Sequence, residues 1–261
     1  MKSIMTLLYI LSTFLLSGQS IAQSTPSNHF IGVKKHKIKS ETLNEERTVY
    51  IYTPEDQENQ KLPVLYILDG SFIKLYEEAL QTIESHPHIV VGIRTHEHRS
   101  RDLIPVKVHD RQGSGGAHYF LNFITQELIP YVNENYHTND QNILYGGSNA
   151  GLFTTFAMLS SPEYFHGFIS SSTTIGHCKD FMYEKVQELL PKSKLDGKFM
   201  YIYYGLQDPS PRVVGYIKDF NQLLIDKFGD IMHVGIRELP DKGHVPEGGI
   251  RSGIEYIYKT E

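Results

Sequence analysis

The sequence predicts an α/β fold in which a mostly parallel central sheet carries helices on both faces. Short apolar runs alternate with helical patterns along the chain, and such alternation requires crossover connections between parallel strands. Two of the runs, residues 64–68 and 89–93, are apolar throughout, as expected of strands buried on both faces. No internal repeat, low-complexity tract or long linker divides the chain. We therefore expect a single domain over residues 23–261.

The remaining elements follow the same alternation. Residues 30–33 and 48–53 are rich in β-branched and aromatic side chains and are joined without a helix, which predicts an antiparallel pair at one edge. Further strands are expected at residues 142–145, 168–170, 199–204 and 233–239. Helices are expected at residues 75–83, 117–132, 149–159, 181–190, 213–228 and 250–258. Pro130 should kink or end the second of these helices.

Composition excludes several classes of protein. The chain has 25 Lys and Arg against 30 Asp and Glu, and this net charge of −5 argues against a nucleic-acid-coating protein. Cys178 is the single cysteine, so an intrachain disulfide and a multi-cysteine metal cluster are both excluded. We predict a small-molecule substrate and no nucleic-acid partner; the sequence does not indicate an oligomeric state.

The N-terminal segment has the pattern of a secretory signal peptide. Lys2 supplies a positive start, residues 4–16 are mostly apolar, and Ser20 and Ala22 supply small residues before a cut at Gln23. The alternative, a transmembrane anchor, needs about 20 apolar residues, and this run is shorter. We therefore predict that residues 1–22 are removed, that no stable membrane anchor remains, and that the protein is exported, either periplasmic or secreted.

A candidate nucleophile lies in the turn that follows the short strand at residues 142–145. There the sequence Gly-Gly-Ser-Asn-Ala, residues 146–150, puts Ser148 between a strand and a helix among very small neighbours. A serine nucleophile occupies such a sharp turn in proteins with the Gly-x-Ser-x-Gly pattern, although Ala150 stands here in place of the second glycine. An ordinary glycine-rich loop or an anion site at a helix N-terminus is the alternative.

Two later strand-end loops supply partners for this serine in the expected chain order. Asp208 is the only carboxylate in the loop after residues 199–204, and His244 is the only histidine in the loop after residues 233–239. His244 can accept the proton of Ser148 near neutral pH, and Asp208 can orient the imidazole. Asp241 is the rival acid, but it lies only three residues before His244 and is badly placed to support the far ring nitrogen.

Acyl transfer also needs two oxyanion donors. The backbone N–H of Asn149 follows the nucleophile directly, and the N–H of Ser71, in the loop after residues 64–68, is the second candidate. Taken alone, Asp69-Gly70 in that loop is equally typical of a simple turn.

These motifs together resemble the putative-esterase branch of the α/β-hydrolases, which includes esterase D-like enzymes and enterochelin esterases. The resemblance spans roughly residues 34–258. It is carried by residues 62–70, 90–93, 99–105, 120–136, 146–151, 205–208 and 243–244. It implies the α/β-hydrolase fold, a serine nucleophile, and no metal or organic cofactor. Ser148, Asp208 and His244 match the family's triad, and Ser71 and Asn149 match its oxyanion donors. Some exported siderophore esterases of the family work without a well-placed acid.

The substrate is predicted less directly. Residues 86–111 carry five Lys or Arg against three acids, together with five histidines, so a basic rim could guide an anionic ester. Arg99 and Phe72 are the predicted substrate contacts. The alternative is a solvated loop in which Arg99 pairs with Asp102. His96 and His98 flank Glu97 as in a metal clip, but the ligand set is too small, and we assign no metal.

The predicted function is that of an exported serine carboxylesterase that forms an acyl-enzyme on Ser148. Its substrate would be a siderophore of the enterobactin type or another anionic or aryl ester. Two alternatives stay open at this point. One is an acyltransferase that uses a sugar or other hydroxyl acceptor. The other is a non-catalytic ligand-binding protein with the hydrolase fold.

Overall fold

The described part of the chain is built on one eight-stranded sheet. The computed structural model describes residues 32–54, 60–188, 192–209 and 211–260. The strands are β1 (Lys34–Ser40), β2 (Glu45–Tyr52), β3 (Leu62–Leu68), β4 (Ile89–Ile93), β5 (Thr138–Gly147), β6 (Gly167–Ser171), β7 (Phe199–Gly205) and β8 (His233–Leu239). Their spatial order is β1-β2-β4-β3-β5-β6-β7-β8.

The sheet is antiparallel at one edge and parallel elsewhere. β1 pairs antiparallel with β2, and β2 pairs antiparallel with β4. Every later pairing, from β4 with β3 to β7 with β8, is parallel. The carboxyl ends of β3, β5, β6, β7 and β8 therefore meet at one edge of the sheet. The predicted mostly parallel sheet and its antiparallel edge are confirmed.

Helices cover both faces of this sheet, as predicted. They are α1 (Ile73–Leu80), α2 (Arg99–Leu103), α3 (Ala117–Asn122), α4 (Ile129–Asn135), α5 (Asn149–Ser160), α6 (Lys179–Glu188), α7 (Pro211–Phe228) and α8 (Gly249–Thr260). Residues of α1 and α8 pack with one set of strand side chains, and residues of α3 to α7 pack with the other. The strands alternate their side chains between these two cores.

The first predicted strand was wrong in its bounds, and the second predicted helix is not a regular α-helix before Pro130. The first strand does not include Val33 but runs over Lys34–Ser40, while residues 30 and 31 lie outside the described residues. Its lysines face solvent at the sheet edge, so it lacks the apolar run that is typical of the buried strands. Pro130 does not end its helix. A π-helical segment, Phe123–Leu128, joins α3 to α4, and Pro130 lies in the first turn of α4.

A buried network of ion pairs fixes α2 against β2. Arg47 of β2 is almost wholly buried and lies 2.9 Å, Nη1 to Oδ2, from Asp102 of α2. Arg101 donates to Glu45 as well as to Asp102, and hydrogen bonding from Arg101 lowers the pKa of Glu45 to about 2. Because a buried charge is costly unless it is paired, this network holds α2 against β2.

The predicted signal peptide, residues 1–22, lies outside the described residues and stays a prediction. The compact unit of the chain starts at Gly32. None of the described helices is both long enough and apolar enough to cross a membrane.

His88 makes the stability of this fold depend on pH. The side chain is buried before β4, where its Nδ1 lies 2.6 Å from the carbonyl oxygen of His86. Burial lowers the pKa of His88 to about 4, against 6.5 in the exposed side chain. Between these values the unfolded chain binds a proton that the folded chain does not, so the free energy of unfolding decreases as the pH falls from about 6.5 to about 4.

We expect His88→Gln to flatten this dependence. The shift of about 2.5 pH units corresponds to about 3 kcal/mol at most, and urea unfolding at several pH values between 7 and 4 measures it. The exposed His137 supplies the control His137→Gln, which should keep the slope of the wild type. A His88→Gln variant with an unchanged slope would show that the imidazole titrates normally in the folded chain.

Candidate functional site

Ser148 occupies a strained turn between the central strand β5 and α5. Its φ and ψ are 61° and −122°, a conformation that non-glycine residues rarely adopt. The Ser148 N–H donates to the carbonyl of Ser171 at the end of β6, at 2.8 Å. The turn is therefore held by a neighbouring strand, as expected where strain is retained at a functional site.

The small residues around Ser148 are required by backbone contact. A Cβ on Gly146 would overlap the carbonyl group of Ala150, and a Cβ on Gly147 would lie 2.8 Å from Cγ1 of Val245. Ala150 itself is fully buried in the core. The departure from the usual glycine at position 150 is thus accommodated, because the close approach involves the backbone of Ala150 and not its methyl group.

The predicted acid and base are in contact. Nδ1 of His244 lies 2.5 Å from Oδ2 of Asp208, and the aspartate side chain is only 5% exposed. The rival acid Asp241 is exposed and makes no hydrogen bond to His244 in the described structure. No hydrogen bond joins the Ser148 hydroxyl to the imidazole among the described residues, and such contacts often tighten only when substrate is bound.

The loops that carry Asp208 and His244 are bonded to each other along their backbones. The N–H of Gln207 donates to the carbonyl of Lys242 at 2.8 Å. Any side chain at Gly205 would overlap the carbonyl groups of Lys242 and Gly243, so glycine is required for this approach. The Asp208–His244 contact is therefore built into the way that β7 and β8 end.

The two predicted oxyanion donors lie in turns that follow β3 and β5, which are paired in the sheet. Asn149 is the first residue of α5, so its N–H has no acceptor within the helix. Ser71 lies in the tight turn after β3, in which the N–H of Phe72 donates to the carbonyl of Asp69. The N–H of Ser71 donates to no backbone acceptor in the described structure, which leaves it available to a ligand.

Arg99 is engaged by the protein itself. Its Nε donates to Oδ2 of Asp69 at 3.0 Å, and its Nη2 donates to the carbonyl of Gly147 at 3.3 Å. The pairing with Asp102 that the sequence suggested was wrong, because Asp102 points into the buried network with Arg47. Arg99 thus joins the Ser71 turn to the serine turn, while its predicted contact with substrate stays a prediction.

The rest of the basic stretch is also largely paired. Arg94 pairs with Glu97, and Arg111 pairs with Asp110 at 3.3 Å. His98 faces Glu45 at 3.6 Å, so Glu97 and His98 are directed toward different partners. The cationic charge of residues 86–111 is therefore mostly compensated within the protein.

A cavity of about 550 Å³ lies between α1 and the loop that follows His244. Its wall is formed by the polar side of α1, including Lys74 and Glu78, by Tyr145 of β5 and by the loop from Val245, which directly follows His244. Ser71, Ser148 and His244 do not themselves line it. Phe72 and Ile73, at the start of α1, are 50% and 43% exposed. Apolar surface thus lies next to the Ser71 turn.

Sequence reasoning missed the contribution of the end of β6. Ser171 accepts the N–H of Ser148 and Ser172 accepts that of Val245, so both residues touch the site. The signal was the run of serines at residues 170–172, at the end of a short strand and at the edge where the other strands supply functional residues. That strand is too short for its hydrophobic pattern to mark it clearly.

The sheet order, the strained serine turn and the Asp–His contact are the features of an α/β-hydrolase-fold serine hydrolase. The family model described as "Putative esterase" matches residues 40–200, which is more than half of the chain. The chain belongs to this family of esterases. The non-catalytic alternative is thereby set aside.

Characterised relatives and solved structures agree with this family. Ferri-bacillibactin esterase BesA of Bacillus subtilis is 24% identical over 236 residues, covering 77% of this chain and 81% of BesA. The IroE-like serine hydrolase of Shewanella oneidensis is 23% identical with a TM-score of 0.76, covering 87% and 80% of the two chains. The enterobactin hydrolase IroE in complex with DFP is 21% identical with a TM-score of 0.65, covering 87% and 94%.

The contact with Asp208 predicts a measurable loss of activity in Asp208→Asn. An amide holds the imidazole in the wrong tautomer, so we expect kcat on a p-nitrophenyl ester to fall by roughly two to four orders of magnitude. Asp241→Asn, on the exposed part of the neighbouring loop, is the matched control and should retain its rate. Full turnover in Asp208→Asn would mean that the site works as a Ser–His dyad.

Proposed function

We propose that this protein is an exported serine carboxylesterase that hydrolyses the ester bonds of a siderophore through an acyl-enzyme on Ser148. The observation that carries the proposal is the contact between Asp208 and His244 at the sheet edge where Ser148 occupies its strained turn. A nucleophile, a base and an acid from three separate strand ends are the parts that this chemistry needs.

In the first half of the reaction, Ser148 Oγ attacks the ester carbonyl carbon while Nε2 of His244 accepts the hydroxyl proton. The Nδ1 proton stays on the imidazole and is donated in a hydrogen bond to the Asp208 carboxylate, which stabilises the imidazolium that forms. The N–H groups of Ser71 and Asn149 donate to the oxyanion. The C–O bond to the alcohol then breaks, and His244 returns its proton to the leaving alkoxide.

In the second half, water takes the place of the alcohol. His244 removes a proton from the water molecule, whose oxygen attacks the acyl carbon, and the same two N–H groups stabilise the second oxyanion. Collapse of this intermediate breaks the bond to Ser148 Oγ and releases the carboxylic acid. The hydroxyl proton of Ser148 is restored from His244.

The substrate class is supported by similarity to BesA, whose name gives ferri-bacillibactin as its ester. The arginines near the site are paired with carboxylates, so strong steering of an anion is not expected. The exposed Phe72 next to the Ser71 turn instead favours an ester that contacts the protein through an apolar or aromatic part.

Export is proposed from the N-terminal pattern of residues 1–22, with the mature protein periplasmic or secreted. Expression of the full chain in a bacterial host, followed by N-terminal sequencing of the recovered protein, tests it. A mature chain that begins at Gln23 supports the proposal, and an intact Met1 in the cytoplasm contradicts it.

Ser148→Ala should abolish hydrolysis of p-nitrophenyl butyrate and labelling by a fluorophosphonate, with the thermal transition retained. The hydroxyl is the only group that can form the acyl bond in this scheme. Ser85→Ala, in the turn after α1, is the control and should keep both activities. Peptide mapping of the label to a serine other than Ser148 would overturn the assignment.

Phe72→Ala should weaken binding of aryl esters. We expect KM for ferri-bacillibactin and for a p-nitrophenyl ester to rise roughly three- to tenfold, with a smaller change in kcat, because an aromatic contact made outside the reacting atoms contributes to binding. Tyr119→Ala removes an equally exposed aromatic ring and is the control. An unchanged KM in Phe72→Ala would exclude this contact, and failure of the wild type to hydrolyse any siderophore ester would exclude the substrate class.

A further inference from the structure

The end of β6 contacts the two parts of the site that must be aligned for proton transfer. The carbonyl of Ser171 accepts the N–H of Ser148 at 2.8 Å. The hydroxyl of the next residue, Ser172, accepts the N–H of Val245 at 3.0 Å, and Val245 directly follows His244. Two consecutive residues thus hold the backbone of the nucleophile and the backbone beside the base.

Both residues joined by this second hydrogen bond have a strained backbone. The φ of Ser172 is 44° and that of Val245 is 48°. A positive φ is uncommon for any side chain and is an outlier for a β-branched residue such as valine. Such conformations persist only where the surrounding structure determines them, and they concentrate at functional sites.

The surroundings of Val245 account for its conformation. Its N–H is held by the Ser172 hydroxyl, and its side chain packs against Gly147, where an added Cβ would lie 2.8 Å from Cγ1. Ser172 is itself fixed, since it is buried and its N–H donates to the carbonyl of Tyr203 at 2.9 Å. The peptide group between His244 and Val245 therefore has one orientation relative to the serine turn.

We infer that Ser172 is a positioning residue, which holds the backbone after His244 so that the imidazole meets Ser148. The inference rests on the proposed function, in which His244 is the base. Asp208 fixes one ring nitrogen, but a ring held at a single point can still pivot with its loop. Without the Ser172 acceptor, the peptide after His244 can rotate and relieve the positive φ of Val245, which moves the imidazole away from its productive position.

Three substitutions at Ser172 separate positioning from stability. Ser172→Gly removes the acceptor but relieves the backbone strain, so its Tm should equal or exceed that of Ser172→Ala, which removes the acceptor and keeps the strain. Ser172→Thr keeps the hydroxyl acceptor and should lower Tm. We expect kcat on p-nitrophenyl butyrate to fall at least tenfold in the glycine and alanine variants, with KM changed less than twofold. The threonine variant should keep most of the wild-type kcat despite its lower Tm.

The rate of fluorophosphonate labelling supplies a second readout, because it depends on activation of Ser148 and not on ester binding. It should fall in proportion to kcat in Ser172→Gly and Ser172→Ala. Ser40→Ala is the matched control, since the buried Ser40 hydroxyl accepts the N–H of Leu43 at 3.0 Å on the distant edge of the sheet. It should lower Tm and leave kcat unchanged.

Two outcomes would overturn the inference: a Ser172→Gly variant within twofold of the wild-type kcat, or activities that follow Tm across the three variants. A wild type that neither hydrolyses esters nor reacts with the fluorophosphonate would instead overturn the proposed function, so the two failures are distinguishable.

Discussion

The site depends on the absence of a side chain at Gly146. The chain reverses direction within two residues of the end of β5. The carbonyl of Ala150 occupies the space that a Cβ on Gly146 would need. Only this close approach lets α5 begin directly after Ser148 and exposes the serine at the strand end. The positive φ of Ser148 is a cost of roughly 1–3 kcal/mol, offset because nearly all of α5 is buried against the sheet.

The electrostatics of the site are local. Asp69 accepts from both Thr95 and Arg99, and Arg99 also reaches the carbonyl of Gly147. The guanidinium therefore couples the turn that carries Ser71 to the turn that carries Ser148, and little of its charge is left to act at a distance. A net-acidic chain with paired arginines presents a weak long-range field to an anionic substrate, so selectivity must come from contact and shape.

Much of this architecture could be predicted because the relevant signals are local. Buried parallel strands are apolar throughout, and a serine among glycines after such a strand is specific when Asp208 and His244 follow in order. Three features depended on tertiary contacts instead. The polar edge strand β1 lacks an apolar run, the partner of Arg99 lies 30 residues away at Asp69, and Ser172 acts through a hydrogen bond to a residue 73 positions later.

His244 is held from two directions, and this changes how the acid should be regarded. Asp208 acts on the ring, while Ser172 acts on the backbone that follows it, and both contacts restrain the same loop. The effects of two residues that restrain the same group are not additive. The activity lost on substitution of either residue therefore depends on how well the other still restrains His244. A relative that lacks the acid can therefore keep an oriented histidine, provided that its loop is fixed by a backbone contact of this kind.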